Sequence, residues 1–173
     1  MEKKINVVLV DENDKEIWEE EKMLVHENWY LHRAISVIIM NNNWEMLLQQ
    51  RALDKYHCWG LWSNATCTHP YKNEENADAA HRRLQEELGF DTELKEIFQF
   101  TYMSEFQNWL IEHEFDHVFL GYYDWKVNFN KSEVNDYKWI VYEELLQDLV
   151  KNEKNYTEWF KIMMNILIKG NVL

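Results

Sequence analysis

Short apolar runs along the chain, several of them rich in Val and Ile, predict the strands of a β-sheet. The first run covers residues 5–11, and the runs at residues 34–40 and 45–51 flank three asparagines, a pattern typical of a hairpin. Further strands are expected at residues 94–103, 111–125 and 137–142.

Two other segments carry apolar residues at helical spacing. In the first, residues 74–88, the apolar positions are Ala77, Ala80, Leu84 and Leu88, and Gly89 follows as a C-terminal stop. In the second, residues 157–168, a stripe expected to pack in the core comprises Phe160, Met163, Ile166 and Leu167. A shorter helix is predicted at residues 143–150. Strands mixed with a few helices indicate an α+β or α/β sandwich.

Length and charge narrow the class of protein. The 173 residues contain no Pro-, Gly- or Ser-rich linker, so we expect one domain covering residues 1–173. With 31 acidic and 18 basic residues, the formal net charge is −13. Such a surface repels phosphate backbones and argues against nucleic-acid binding. An anionic ligand would therefore need a site with its own local cations.

The expected compartment is the cytoplasm. The N-terminal residues lack the apolar core and cleavage site of a signal peptide, and no apolar run approaches the ~18 residues that span a bilayer. We therefore expect no membrane partner. Two cysteines, Cys58 and Cys67, are too few for a disulfide framework, as expected for a reducing compartment.

The segment RRLQEELGF, residues 82–90, places two arginines four residues before two glutamates. On a helix Arg82 shares a face with Glu86, and Arg83 with Glu87, so two solvated ion pairs would explain the pattern. The order also matches the core of the Nudix box, with Glu74 at its upstream acidic position. Arg83 stands where that pattern has a metal-binding Glu, and Thr68 where it begins with Gly. A cation at that position argues against hydrolysis and favours a phosphate contact.

The segment LIEHEFDHVF, residues 110–119, reads as a strand with two chemically different faces. One face would carry Glu112, Glu114 and Asp116, and the other His113, Phe115 and His117. An exposed edge strand with a charged face is one interpretation. If the row is buried instead, its carboxylates need a cation or a raised pKa.

The segment WSNATCTHP, residues 62–70, holds Cys67, His69 and the only proline of the chain. A thiol and an imidazole held by a rigid turn could form a metal site, a nucleophile or an acid–base centre. His26 and His32, just before the strand at residues 34–40, are each most simply surface or capping residues. Together with His69 and two glutamates they could complete a His₃Glu₂ set suited to Zn²⁺, Mn²⁺ or another divalent ion.

Taken in order, these pieces resemble the type I isopentenyl-diphosphate isomerases, a branch of the Nudix superfamily. The resemblance covers roughly residues 20–165 and rests on LHRA, QQRALDKYHCWGLWSNATCTHP, RRLQEELGF, FTYMSEF, EHEFDHVF and TEWFKIM. It implies an α+β Nudix fold, an α/β/α sandwich whose mixed central sheet is flanked by helices. His26 lies one residue closer to His32 than in the bacterial pattern, and Glu158 precedes Trp159 where proline is common.

The resemblance also implies the site residues. The metal ligands would be His26, His32, His69, Glu112 and Glu114. Cys67 and Glu114 would flank the substrate, Tyr102 would hydrogen-bond to the catalytic carboxylate, and Trp159 would lie against the reacting carbons. A Mg²⁺ associated with Glu87 would meet the diphosphate. The side chains expected to hold the same diphosphate are Lys22, Arg51, Lys55 and Arg83.

The implied activity is the isomerisation of isopentenyl diphosphate to dimethylallyl diphosphate in isoprenoid biosynthesis, through a tertiary carbocation. A thiol and a carboxylate on opposite faces of the substrate can add one proton and remove another. The implied cofactors are Mg²⁺ with the diphosphate and a second divalent ion, Zn²⁺, Mn²⁺ or Mg²⁺, in the His/Glu site. No flavin-binding glycine pattern is present. The expected partner is a small prenyl diphosphate, and the expected state is a monomer or weak dimer.

Two other functions stay open on the residues alone. The chain could be a Nudix diphosphohydrolase, which phosphate release would reveal, although Arg83 and the pair of Cys67 and Glu114 count against it. It could also be a metal-stabilised module that binds diphosphates without turnover. Among the remaining residues, Cys58 is expected to be a structural thiol near the surface or pocket rim, and Trp59 and Trp62 to lie in the core or a pocket wall.

Overall fold

The computed structural model describes residues 5–55, 57–105 and 110–170. Within these ranges a mixed nine-stranded sheet runs through the molecule. Its strands are β1 Asn6–Val10, β2 Glu16–Glu21, β3 His32–Met40, β4 Glu45–Arg51, β5 Trp62–Ser63, β6 Thr66–Thr68, β7 Leu94–Glu105, β8 Ile111–Tyr122 and β9 Val134–Val141. The α-helices in the same ranges are α1 Lys22–Glu27, α2 Asn76–Leu88, α3 Tyr142–Lys151 and α4 Glu158–Gly170. Every predicted strand and helix matches one of these elements, with ends that differ by three residues at most.

Strand β3 lies inside the sheet because its Val- and Ile-rich sequence can be buried on both faces. It pairs in parallel with β8, from His32 opposite Glu114 to Met40 opposite Tyr122. On its other edge it pairs antiparallel with the short strand β6, where Ser36 lies opposite Cys67. Strand β8 pairs antiparallel with β7 along most of its length. This register places His32 opposite Glu114 of β8, and it brings the segment that contains Cys67 to the other edge of β3.

The predicted hairpin of residues 34–40 and 45–51 is correct at its turn and wrong beyond it. Strands β3 and β4 meet at Met40 and Met46, and no further residue pair joins them in the described ranges. Strand β4 pairs instead with β9, and with β5 at Gln49 and Gln50. The backbone groups that a hairpin would have paired are satisfied by these other strands, so nothing favours extending it.

Side chains of β3 alternate between two cores on opposite faces of the sheet. Ile35, Val37 and Ile39 pack against α2, and Ile38 and Met40 pack against α4. The helices therefore flank the sheet on both sides, which confirms the predicted sandwich. The stripe expected on α4 is also confirmed, since three of its members are fully buried and Ile166 is half-buried; the buried ones are Phe160, Met163 and Leu167.

Helix α2 ends as predicted, because Gly89 takes a left-handed φ of 72° at its C-terminus. An added Cβ on Gly89 would lie 2.4 Å from the carbonyl oxygen of Asn128, so glycine also permits the close approach of that loop. The loop is fixed to the end of the helix by a hydrogen bond from Asn130 N to Glu87 O, 2.8 Å long. Gly89 thereby helps to place residues that follow Asn130, including Glu133 in the site.

The structure contains short elements that the periodicity did not predict, namely β2, α1, β5 and β6. Strand β2 consists mostly of charged residues and becomes a strand through its pairing with β1.

The prediction for Trp59 is wrong: its side chain is 62% exposed, because a turn in which Cys58 and Gly60 both have positive φ directs it outwards. Trp62 is half-buried against the α4 core, as expected. None of the described helices is both long and apolar enough to cross a membrane.

Candidate active site

A cavity of about 270 Å³ is lined by residues from β3, β4, β6 and β8, from α1, α2 and α4, and from several loops. Nine of the residues predicted for the site line this cavity: Lys22, Arg51, Lys55, Cys67, His69, Arg83, Glu112, Glu114 and Trp159. The other four, His26, His32, Tyr102 and Glu87, are buried. The fold thus gathers residues that are spread over more than 130 positions of the sequence.

The carboxylate row of β8 is buried, so the interpretation of an exposed edge strand is wrong. Glu112, Glu114 and Asp116 share one face of a strand that has β3 on one side and β7 on the other. On the opposite face, His117 is also buried and contacts Asp14 and Glu96 with its two ring nitrogens, at 3.0 and 2.9 Å. Three carboxylates in one buried row require compensation from neighbouring groups.

Four residues from four parts of the chain form a group that could hold a metal ion: His26, His32, His69 and Glu112, with one donor atom from each lying within 4.8 Å of the others. The histidines come from α1, from the start of β3 and from the segment after β6, and the glutamate comes from β8. Glu114 borders the group, with its Oε1 3.0 Å from His69 Nε2 and 3.6 Å from His32 Nε2. The one-residue shift of His26 relative to the bacterial pattern does not remove it from the group.

Hydrogen bonds orient two of these histidines for metal binding. The Nδ1 atoms of His26 and His32 donate to the backbone carbonyls of Lys22 and Tyr30. Each Nε2 atom is then directed at carboxylates, His26 towards Glu112 at 2.9 Å. The Nε2 of His32 is fully buried and makes no hydrogen bond to any described residue, although carboxylate oxygens lie at 3.6 and 3.8 Å. A divalent ion at this point fits the donor set of imidazole nitrogens and carboxylate oxygens.

The pKa values along the row diverge. Burial alone would raise the pKa of Glu114, but its contacts with His32 and the hydrogen bond from Tyr102 outweigh burial and lower the pKa to about 2. Burial and the nearby charge of Glu114 raise the pKa of Asp116 well above its usual range. Burial also lowers the pKa of His69 well below 6.5, so its ring is neutral and can offer a lone pair to a metal.

Cys67 is protonated in this environment. Burial, with the charge of Asp116 second, raises the pKa of its thiol to about 12. The Sγ atom donates to Asn64 Oδ1 at 3.2 Å and lies 3.6 Å from Ser36 Oγ. Ser36 in turn donates to Asp116 at 2.7 Å. The cavity therefore contains a thiol that carries its proton and, on β8, a carboxylate that has lost its own.

Two aromatic side chains lie beside these groups. The hydroxyl of Tyr102 donates to Glu114 Oε2 at 2.7 Å, and its ring is 6% exposed. Trp159 lines the cavity and donates from its indole nitrogen to Ser63 Oγ at 2.9 Å. The guanidinium of Arg51 lies 5.3 Å from the centre of the indole ring. Trp159 thus presents its ring, and not its polar atom, to the cavity.

The predicted cations come from four different segments of the chain. Lys22, Arg51, Lys55 and Arg83 line the cavity, as does Arg82, whose side chain is held by two hydrogen bonds to Glu74. Arg83 pairs with Glu86 and Glu87 on its own helix and with Glu133 at 3.1 Å. The interpretation of two solvated ion pairs therefore does not describe Arg83, which reaches from α2 into a site that also contains Lys55.

Glu87 is held by three side chains. Its Oε2 accepts hydrogen bonds from Thr66 at 2.6 Å and from Gln49 at 2.7 Å, and its Oε1 pairs with Arg83. The carboxylate is 5% exposed and lies behind Arg83 instead of lining the cavity. These contacts fix the direction of Arg83, and a Mg²⁺ associated with Glu87 stays a prediction.

Several residues at the site were missed by sequence reasoning. His57 lines the cavity 3.6 Å from Glu112, and burial lowers its pKa to about 3. Glu133 pairs with both Lys55 and Arg83. Ser63 and Asn64 contact Trp159 and Cys67 through hydrogen bonds. A histidine beside the WSNATCTHP segment was a visible signal for His57, whereas the roles of the others depend on contacts between distant segments.

Comparisons with known proteins give a consistent result. The family model described as NUDIX domain matches residues 30–160. A protein of Aromatoleum aromaticum named isopentenyl-diphosphate Delta-isomerase 2 is 46% identical over 162 residues, which cover 94% of this chain and 86% of that protein. The isopentenyl-diphosphate Delta-isomerase of Serratia proteamaculans is 41% identical, covering 93% of this chain and 90% of that protein.

Solved structures support the fold independently. A Deinococcus radiodurans protein superposes with a TM-score of 0.69 at 19% identity, covering 84% of this chain and 89% of its own. The MutT protein of Methanosarcina mazei Go1 gives 0.67 at 19% identity, with 82% and 95% covered. At these identities the likeness concerns the arrangement of sheet and helices.

Proposed function

Because the chain belongs to the isopentenyl-diphosphate Delta-isomerase family of NUDIX-domain proteins, we propose that it interconverts isopentenyl diphosphate and dimethylallyl diphosphate in isoprenoid biosynthesis. The observation that carries the proposal is a single cavity in which a protonated thiol, Cys67, and an ionised carboxylate, Glu114, are accompanied by a cluster of cations.

The diphosphate would bind among the cations that line the cavity. Lys22, Arg51, Lys55 and Arg83 are all directed into it from different elements, in a protein whose net charge is −13. Guanidinium groups can hold phosphate oxygens by paired hydrogen bonds, and Lys adds point charges. The Nε of Arg51 is buried and makes no hydrogen bond to a described residue, which leaves it a donor for such a ligand.

The reaction requires two proton transfers. A proton added to the terminal CH₂ carbon of isopentenyl diphosphate converts the double bond into a tertiary carbocation, and loss of a proton from the neighbouring CH₂ forms the new double bond. One group must begin with a proton and another with a vacant lone pair. Cys67 and Glu114 meet this requirement, and the phenol of Tyr102 lies 2.7 Å from Glu114 to share a proton with it.

Trp159 would stabilise the carbocation. An indole face within about 6 Å of a desolvated cation contributes on the order of 2 kcal/mol. The guanidinium of Arg51 lies over this ring at 5.3 Å, which is evidence that the face can accept a cation. With a diphosphate present, Arg51 has an anion to bind, and the ring becomes available to the hydrocarbon part of the substrate.

The proposed metal is a divalent ion, Zn²⁺, Mn²⁺ or Mg²⁺, held by His26, His32, His69 and Glu112 with Glu114 beside it. When bound, the ion would supply positive charge that keeps Glu114 ionised and fixes its orientation. A Mg²⁺ associated with Glu87 would meet the diphosphate beside Arg83, which pairs with Glu87. The cytoplasmic location and the monomer or weak dimer stay predictions of the sequence.

Proton NMR in D₂O tests the function directly. Purified metal-replete protein is incubated with isopentenyl diphosphate and Mg²⁺, and free phosphate is measured in the same tube. We expect deuterium in the methyl groups of a growing dimethylallyl diphosphate signal, without phosphate release. Free phosphate without isomerisation would identify a diphosphohydrolase, and neither signal would leave a diphosphate-binding module as the better explanation.

A further inference from the structure

Trp159 and Cys67 lie in different segments of the chain, and a single hydrogen-bond network joins them. Its centre is the pair Ser63 and Asn64, at the end of β5 and just after it, which are 2% and 0% exposed. Ser63 Oγ accepts from Trp159 Nε1 at 2.9 Å, and Asn64 Oδ1 accepts from Cys67 Sγ at 3.2 Å. A direct bond between Ser63 Oγ and Asn64 Oδ1, 2.9 Å long, closes the chain of contacts.

The orientation of the Asn64 amide is fixed by its other partners. Its Nδ2 donates to two backbone carbonyls, of Thr66 at 2.8 Å and of Val37 at 3.2 Å. Carbonyl oxygens only accept, so the amide cannot flip without losing both bonds and bringing oxygens together. Oδ1 must therefore face Ser63 and Cys67, and both of these must act as donors towards it.

The hydroxyl of Ser63 is then also fully determined. It has one proton, which goes to Asn64, and two acceptor positions. Trp159 Nε1 fills one of these positions, and Thr157 Oγ1, at 3.1 Å, fills the other as a donor. The protons of the Ser63 hydroxyl and of the Asn64 amide each have one place, so this pair holds the indole N–H of Trp159 on one side and the thiol of Cys67 on the other.

We propose that Ser63 and Asn64 are positioning residues that set the indole of Trp159 and the thiol of Cys67 relative to each other across the reaction cavity. The inference rests on the proposed isomerase function and assigns to that site two residues that touch no reacting atom. Neither residue lines the cavity, so their effect on catalysis is transmitted through the two side chains that do.

Ser63 is the better residue to test, since its removal leaves the amide of Asn64 bonded to both carbonyls. Ser63→Ala deletes the hydroxyl, and Ser63→Thr is the matched control because it retains it. We expect Ser63→Ala to lower kcat roughly 10- to 100-fold, as small displacements of reacting groups do, while KM for isopentenyl diphosphate stays nearly unchanged. Ser63→Thr should restore most of the lost kcat. Wild-type kcat in Ser63→Ala, or a change in KM alone, would overturn the proposal.

A double-mutant cycle separates positioning from general damage to the fold. Trp159→Phe keeps an aromatic ring and lacks the indole N–H, so Ser63→Ala should lower kcat by a smaller factor in that background than in the wild type. Equal factors in both backgrounds would overturn the coupling.

A readout that needs no turnover distinguishes this inference from the proposed function. In ¹⁵N-tryptophan-labelled protein the indole N–H signal of Trp159 is assigned by its loss in Trp159→Phe. We expect slow hydrogen exchange of this signal in the wild type and in Ser63→Thr, and faster exchange in Ser63→Ala. Equal exchange in all three would disprove the network. If exchange behaves as expected and the wild type forms no dimethylallyl diphosphate, the proposed function has failed and the positioning role fails with it.

Discussion

Cys67 and Glu114 share one cavity, and their surroundings drive their protonation in opposite directions. Burial holds the proton on the thiol, whose pKa is raised to about 12. Glu114 is buried too, but its contacts with His32, Glu112 and Tyr102 lower its pKa to about 2. The difference arises from their partners, because a thiol beside an amide oxygen has no cation to favour its charged form. At the scale of the residue, these two environments define the proposed donor and acceptor.

Replacing either group should abolish most of the activity. Cys67→Ser and Glu114→Gln keep the approximate shape of the side chain and remove its proton-transfer capacity, so we expect kcat for isopentenyl diphosphate to fall by about 10² to 10⁴. Cys58→Ser is the matched control, because Cys58 does not line the cavity. Deuterium incorporation by NMR measures the rates, and near-normal rates in both site variants would contradict the assignment.

The raised pKa of Cys67 predicts its reactivity towards alkylation. A pKa of about 12 in place of 9.0 leaves about 1000-fold less thiolate at pH 8, and the thiolate is the nucleophile. In a Cys58→Ser background, iodoacetamide should therefore modify folded Cys67 at least about 1000-fold more slowly than the urea-unfolded chain, and the rate should keep rising as the pH approaches 12. Fast modification of the folded protein at pH 8 would show that the thiol is not held protonated.

At the scale of the element, the end of α2 links a helix stop to the site. Gly89 allows the loop at Asn128 to pass close to the helix, and the hydrogen bond from Asn130 to Glu87 holds it there. Shortly after this loop, Glu133 pairs with Lys55 and Arg83, two of the cations proposed to bind the diphosphate. The backbone conformation of one glycine thus supports the position of Glu133, about 40 residues further along the chain, and of the cations that pair with it.

Alanine at two glycines separates backbone strain from close contact. Gly89 and Gly60 have nearly equal φ, 72° and 70°, but a Cβ on Gly60 would meet only the side chain of Leu53, at 3.1 Å. Gly60→Ala should therefore cost about 1 kcal/mol of unfolding free energy, the usual penalty of a left-handed alanine. Gly89→Ala should cost about 3 kcal/mol, because the loop must also move. Urea denaturation measures both, and equal losses would mean that the Asn128 contact relaxes freely.

At the scale of the whole molecule, the metal group connects distant parts of the fold. His26, His32, His69 and Glu112 come from α1, β3, the segment after β6, and β8. An ion bound only by the folded arrangement stabilises the whole domain by mass action. The charge of −13 acts at the same scale, because it would confine the proposed diphosphate binding to the cavity that the cations line.

Metal addition should consequently raise the melting temperature. At a concentration of Zn²⁺ or Mn²⁺ 100 times its Kd, the gain is about 2.7 kcal/mol, or about 5 to 10 °C for a domain of this size. His32→Ala should remove most of this shift, because its Nε2 lies at the centre of the donor set. His81→Ala is the control, since His81 pairs with Asp91 outside the group. If a chelator leaves the melting temperature of the isolated protein unchanged, and added Zn²⁺ or Mn²⁺ then does not raise it, the metal site is contradicted.

The sequence by itself determined the elements whose periodicity is strong and the residues whose motifs are ordered. The stripe of α4, the stop at Gly89 and the alternation of β8 follow from local physics, since burial of one face and a left-handed glycine require only neighbouring residues. The ordered motifs also identified the family and most residues that line the cavity.

Only the tertiary structure decided how those residues are partnered. The separation of β3 from β4, the exposure of Trp59 and the engagement of Glu87 by Thr66 and Gln49 depend on segments far apart in the chain. The same holds for the network of Ser63 and Asn64, because hydrogen-bond direction is set by which donor and acceptor meet in space. Periodicity records which face of an element is buried, and it contains no information about which residue lies opposite.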